Sequence, residues 1–127
     1  MSSQDGRNRR SAQAISNAIT KLQREHYGRG PDSVRTVVGY DHIICFLENT
    51  FMPVERTLID AGENDAVRQT RLAFQRATED RFKSTIEELT GRKVRAFLSQ
   101  VSLNPDISVE VFVLERSDAE QAPEGVA

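Results

Sequence analysis

Two arginines, Arg29 and Arg35, stand at either end of the stretch GRGPDSVR, which begins at Gly28. Guanidinium forks beside exposed backbone amides hold carboxylate-like or phosphate-like oxygens, best when two act together. Arg29, Arg35, Gly28 and Gly30 are therefore the candidate anion-binding residues. A competing reading treats the same glycines as punctuation. A phosphate loop delivers its glycines to the N-terminus of a helix, where free N–H groups and the dipole meet the anion. This stretch instead leaves a helix and enters a strand. Gly28 then ends the helix, Gly30 and Pro31 set a turn, and Asp32 and Ser33 complete it.

The remaining reactive side chains form no recognisable catalytic pattern. The two histidines, His26 and His42, share no HxxxH or HxxE spacing with a ligand partner, so no metal site is expected. Cys45 is the single cysteine and lies inside the apolar run ICF; there a thiol behaves as a small buried hydrophobe with a raised pKa. No serine sits in GxSxG, and Glu55, Glu79, Asp80, Glu87 and Glu88 read as ordinary helix-surface acids. Enzyme action is unsupported by these residues, and no cofactor is expected.

These residues must be positioned by 127 residues, enough for one hydrophobic core. A net charge of -2 gives no electrostatic footprint for nucleic acid. A lone cysteine fits a reducing cytoplasm, and the apolar runs fall short of the roughly 20 residues that span a bilayer. A cytoplasmic protein with no direct membrane insertion is expected. Residues 1–10 and 116–127 are too polar to bury surface and read as disordered tails, the first with Arg7, Arg9 and Arg10, the second acidic. A single domain spans 11–115.

Within that domain the hydrophobic period switches between helix and strand. Ile15, Ile19, Leu22 and His26 form a helical stripe over Ser11 to Tyr27, with Ser11 as cap. Val34 to Tyr40 and His42 to Glu48 read as a hairpin. PVERTLIDAG is a short helix with Pro53 in its first turn and Gly62 past its end. Asn64 caps a long helix over Asp65 to Leu89, built on Val67, Phe74, Ala77, Phe82, Ile86 and Leu89, and Gly91 ends it. Val94 to Leu103 and Ile107 to Glu115 flank Asn104-Pro105-Asp106 as a second hairpin. The order α-β-β-α-α-β-β defines an α+β domain with a four-stranded, mostly antiparallel sheet packed by helices.

Strand alternation puts Ile107, Val109, Val111 and Val113 on one side of the last strand and Phe112 and Leu114 on the other. In the second strand it opposes Ile43, Cys45 and Leu47 to Ile44 and Phe46. Both sheet faces are thus apolar. Either a second copy covers one of them, making a homodimer, or helices cover both within one chain.

Four segments carry a resemblance: YGRGP at Tyr27 to Pro31, ERTL at Glu55 to Leu58, ELTGRKV at Glu88 to Val94 and VEVFVLE at Val109 to Glu115. With AISNAITKLQREH and RLAFQR they make a chain that resembles the MpsC-like family, small bacterial proteins named for a component of a sodium-translocating, membrane-potential-generating system. The resemblance covers roughly Ala12 to Glu115. It implies membrane transport subunits as partners, with a link to inorganic-carbon uptake, and supplies no catalytic residues. The first functional expectation is a non-catalytic accessory or regulatory binding protein. It acts through protein contacts with a membrane ion or bicarbonate transport system, peripheral to the inner membrane face through its partner. The second is a small-anion or small-molecule-binding domain or enzyme, with Arg29, Arg35, Arg71 or Arg95 lining a pocket between sheet and helices.

Overall fold

The computed structural model describes residues 3–116. Its elements run α1 (Ser3–Tyr27), β1 (Ser33–Val38), β2 (His42–Glu48), α2 (Pro53–Asp60), α3 (Asn64–Thr90), β3 (Val94–Ser102) and β4 (Ile107–Leu114). This is the expected α+β order. The strands make one sheet in the order β1-β2-β4-β3, with every neighbouring pair antiparallel. Each hairpin supplies two adjacent strands, and β2 and β4 join the hairpins at the centre.

Several boundaries differ from the sequence expectation. Helix α1 begins at Ser3 and takes in most of the stretch expected to be an unordered tail, so Ser11 lies within the helix and caps nothing. The buried stripe of α1 is Ile15, Ile19 and Leu22, while His26 is exposed: the stripe drifts on a 3.6-residue period and passes through Gln23 to Tyr27 instead. Asn64 is the first residue of α3, and Glu63 holds the cap position. Leu89 points outward. The end of α3 is as expected, with Gly91 left-handed at φ 71° and its N–H on the Glu87 carbonyl at 2.8 Å. The acidic C-terminal segment beyond Arg116 lies outside the described residues.

One face of the sheet carries the core. Ile43, Cys45, Leu47, Phe112 and Leu114 pack against Ile15, Ile19 and Leu22 of α1 and Phe82 and Ile86 of α3. Helix α2 packs on α3. The described helices therefore share one side, and the arrangement in which helices cover both faces is not the one adopted. A file of rings runs through the core: Phe74 meets Phe82 edge-on at 6.4 Å, Phe82 stacks on Phe97 at 5.9 Å, and Phe97 on Phe112 at 4.8 Å.

Phe82 is 2% exposed and central to this file. Phe82→Ala should lower unfolding free energy by about 3–4 kcal/mol, the loss of transfer energy plus a cavity. Urea denaturation reads it directly, and an unchanged midpoint would contradict the packing.

Candidate functional site

At one end of the core the long helices and the β2–α2 loop meet around two buried charges. Arg71 of α3 grips Glu55 of α2 through Nε and Nη2, each 2.8 Å from a different carboxylate oxygen. The pair is almost out of solvent, with side-chain exposures of 10% and 4%. Glu55 also accepts from the Met52 N–H at 2.8 Å, reaching back over the start of its own helix, and from the Tyr27 hydroxyl of α1. The Arg71 guanidinium lies between the rings of Tyr27 and Phe51, 4.5 and 4.9 Å from their centroids. Nη2 also donates to the Thr50 carbonyl at 3.1 Å.

These contacts fix the protonation states. Burial pushes the Glu55 carboxyl up, but the bonds from Arg71, Tyr27 and Met52 outweigh it and hold the group below its ordinary value. Burial acts downward on Arg71, and the pairing with Glu55 reverses it. The Tyr27 hydroxyl is raised by burial and by the acceptor it serves. Asp106, from the β3–β4 turn, joins the assembly by accepting from Thr50 Oγ1 at 3.1 Å and the Phe51 N–H at 3.0 Å.

Beside this knot, between α3 and the β3–β4 hairpin, lies a pocket of about 220 Å³. Glu110 and Ser108 of β4, Ser99 and Phe97 of β3, Gln23 of α1 and Phe82 of α3 are among its lining residues. Glu110 faces the core although it is acidic. Ser99 donates to it at 2.5 Å. Burial drives its carboxyl up from 4.5 to about 7, with Ser99 and the charge of Arg71 pulling part of the way back. Ser108 Oγ is buried and has no hydrogen-bond partner among the described residues.

The sequence candidates are placed elsewhere. Gly28, at φ 94°, ends α1 with its N–H on the Arg24 carbonyl at 3.2 Å, and Gly30 lies against Thr20. Arg29 donates to the Asn49 carbonyl at 2.5 Å and to Asp32 at 3.4 Å. Arg35 lies over the Phe46 ring at 4.3 Å, on the side of the sheet away from the helices. The two guanidinium groups thus have separate partners. Arg71 lines the pocket with its charge already matched by Glu55, and Arg95 falls at a register shift in β3. Cys45 is buried and its thiol raised to about 12, chiefly by burial.

Sequence reasoning passed over Glu110. The signal was present, since Ser108 and Glu110 stand at two-residue steps from Phe112 and Leu114 and so share the core face. No group of three or more His, Cys, Asp or Glu residues suited to a metal ion occurs among the described residues.

A family model described as "Na+-translocating membrane potential-generating system (MpsC)" matches residues 8–116. The chain belongs to the MpsC family. It is similar to the uncharacterized protein YbcI of Bacillus subtilis (strain 168), with 32% identity over 101 residues, covering 79% of this chain and 82% of that one. It is also similar to the uncharacterized protein YrhF of the same organism, at 28% identity over 105 residues, covering 81% and 86%. No solved structure matches significantly. The segments that mark this MpsC chain supply the site: Tyr27 comes from YGRGP, Glu55 from ERTL, and Glu110 from VEVFVLE. No described helix is long and apolar enough to cross a membrane.

The two buried glutamates give opposite pH signatures. For Glu110, raised from 4.5 to about 7, the folded state holds a proton that the unfolded state releases, so its contribution is complete below pH 4.5 and lost as pH rises to about 7. That loss is on the order of 3 kcal/mol. Glu55, lowered in the fold, contributes above its unfolded value and loses that contribution in acid. Glu110→Gln should flatten the fall in stability between pH 4.5 and 7, and Glu55→Gln should flatten the acid limb. Chemical denaturation across pH checks both, and an unaltered profile in Glu110→Gln would refute the assignment.

Proposed function

We propose that this protein is a non-catalytic accessory binding module that pairs with a second copy of itself through the sheet face its helices leave open. That pairing serves a membrane ion or bicarbonate transport assembly through protein contacts. The observation that carries the reading is the one-sided packing. Val37, Ile44, Val111 and Leu98 lie side by side across all four strands, with Phe46, Val109 and Val113 in the adjoining rows. Val37 and Leu98, at the two edges, are 39% and 55% exposed.

Size and charge favour a second copy as the occupant. Four strands spaced ~4.8 Å apart and about seven residues long give a face of roughly 19 by 23 Å. Two such faces give roughly 870 Å² in flat projection, and side-chain relief raises the area toward the ~1,200 Å² at which stable interfaces begin. Arg35 and Glu48 both border the apolar band on this face, so each copy offers both signs of charge for a symmetric pairing. The apolar centre and polar border are the anatomy of an interface. The membrane connection is supported by the family description, a Na+-translocating membrane potential-generating system. The absence of a nucleophile–base pair among the described site residues goes with a binding role.

Sedimentation at micromolar concentrations should show a dimer. Val111→Lys should convert it to a monomer that keeps the native circular dichroism, because this side chain stands on the open face and not in the core. A wild-type protein that is monomeric throughout, or a Val111→Lys variant that stays dimeric, would overturn the proposal.

A further inference from the structure

The pocket beside Glu110 is used by nothing so far described. Its floor is rich in acceptors: the Glu110 carboxylate, bonded to Ser99, and Ser108 Oγ, which is 4% exposed and without a partner among the described residues. Its walls include Leu72, Phe74, Phe82 and Phe97. Of the charged and hydroxyl donors nearby, Arg71 serves Glu55 and the Thr50 carbonyl, and the Thr78 hydroxyl donates to the Phe74 carbonyl at 2.7 Å; the Gln23, Gln75 and Gln100 amides line the pocket as well. Arg68, exposed on α3, borders the pocket and reaches the Val101 carbonyl at 3.5 Å. Arg71 is neutralised by Glu55 and Arg68 keeps its charge at the exposed rim, so the buried charge on the floor that lacks an ion-pair partner among the described residues is that of Glu110.

We propose that this pocket binds a small organic ammonium ion, with its N–H groups on Glu110 and Ser108 and its apolar body against Phe74, Phe82 and Phe97. A buried acceptor left unpaired is costly, and a cationic donor satisfies both oxygens at once with charge-assisted bonds. The aromatic walls exclude a bare metal ion, which needs more oxygens than the floor provides. The volume of about 220 Å³ exceeds the ~30 Å³ share of one water several times over and lies below the ~300 Å³ of drug-sized sites. The ligand is therefore small, an alkyl or arylalkyl amine.

Binding requires Glu110 ionised, so ligand uptake releases its proton. The charged groups facing it are Arg68 and Arg71 from α3, with Glu55 of α2 behind Arg71; α1 contributes neutral Gln23.

The test is calorimetric titration of the full chain with phenethylammonium and butylammonium chlorides, with 3-phenylpropionate and sodium chloride as the anionic and inorganic probes. Saturable ammonium binding is expected. It should be roughly tenfold tighter at pH 8 than at pH 6, as the ionised fraction of a group near 7 dictates. Glu110→Gln should weaken it at least tenfold and remove the pH dependence, and Ser108→Ala should weaken it severalfold with the thermal midpoint retained. No saturable heat from either ammonium probe, binding indifferent to Glu110→Gln, saturation by sodium alone, or preference for the carboxylate would each overturn the proposal. This readout is independent of self-association, which sedimentation reports separately.

Discussion

The ion pair between Arg71 and Glu55 is the constraint on which the rest of the architecture depends. Two charges taken out of water are tolerated only when geometry is good and the remaining donors and acceptors are satisfied. Here the carboxylate meets both prongs of the guanidinium, a backbone N–H and the Tyr27 hydroxyl, and the guanidinium is stacked between two rings. Removing one partner of such a pair costs about 3–5 kcal/mol, because the other is left buried and alone. The knot draws in α1 through Tyr27, α2 through Glu55, α3 through Arg71 and the hairpin turn through Asp106. It holds the helices together on one side of the sheet. The apolar residues of α1 and α3 pack on that same side, and the second face is left open among the described residues.

Much of this order was legible in the residues. Hairpins, the Gly91 stop and the long helix follow from periods of two and 3.6 and from turn chemistry, and the split of Phe112 and Leu114 from Val111 and Val113 follows from strand alternation alone. The knot was not legible. Glu55 and Arg71 lie on helices among many other charges, and only the crossing of α2 with α3 distinguishes a buried pair from a solvated one. Glu110 shows the same limit from the other side: the pattern placed it inward, but an acidic residue among valines reads first as the polar side of a strand. The GRGP stretch turned on its context, with a helix before it and a strand after it, and each arginine found a separate structural partner.

The two sides of the sheet differ in character. The helix side is closed, ionically pinned and holds a pocket whose floor is a buried carboxylate and two hydroxyls. The far side is broad, apolar and bordered by Arg35 and Glu48. A fold that spends its described helices on one face leaves the other available for contact.

The central claim is that the second face is where copies meet. The most direct measurement is intermolecular nuclear Overhauser contact in a sample mixed from methyl-labelled and unlabelled protein. The account predicts contacts confined to methyls of Ile44, Val109, Val111, Val37 and Leu98. Intermolecular contacts arising instead from exposed helix methyls such as those of Leu72 and Leu89, or none at all, would contradict it.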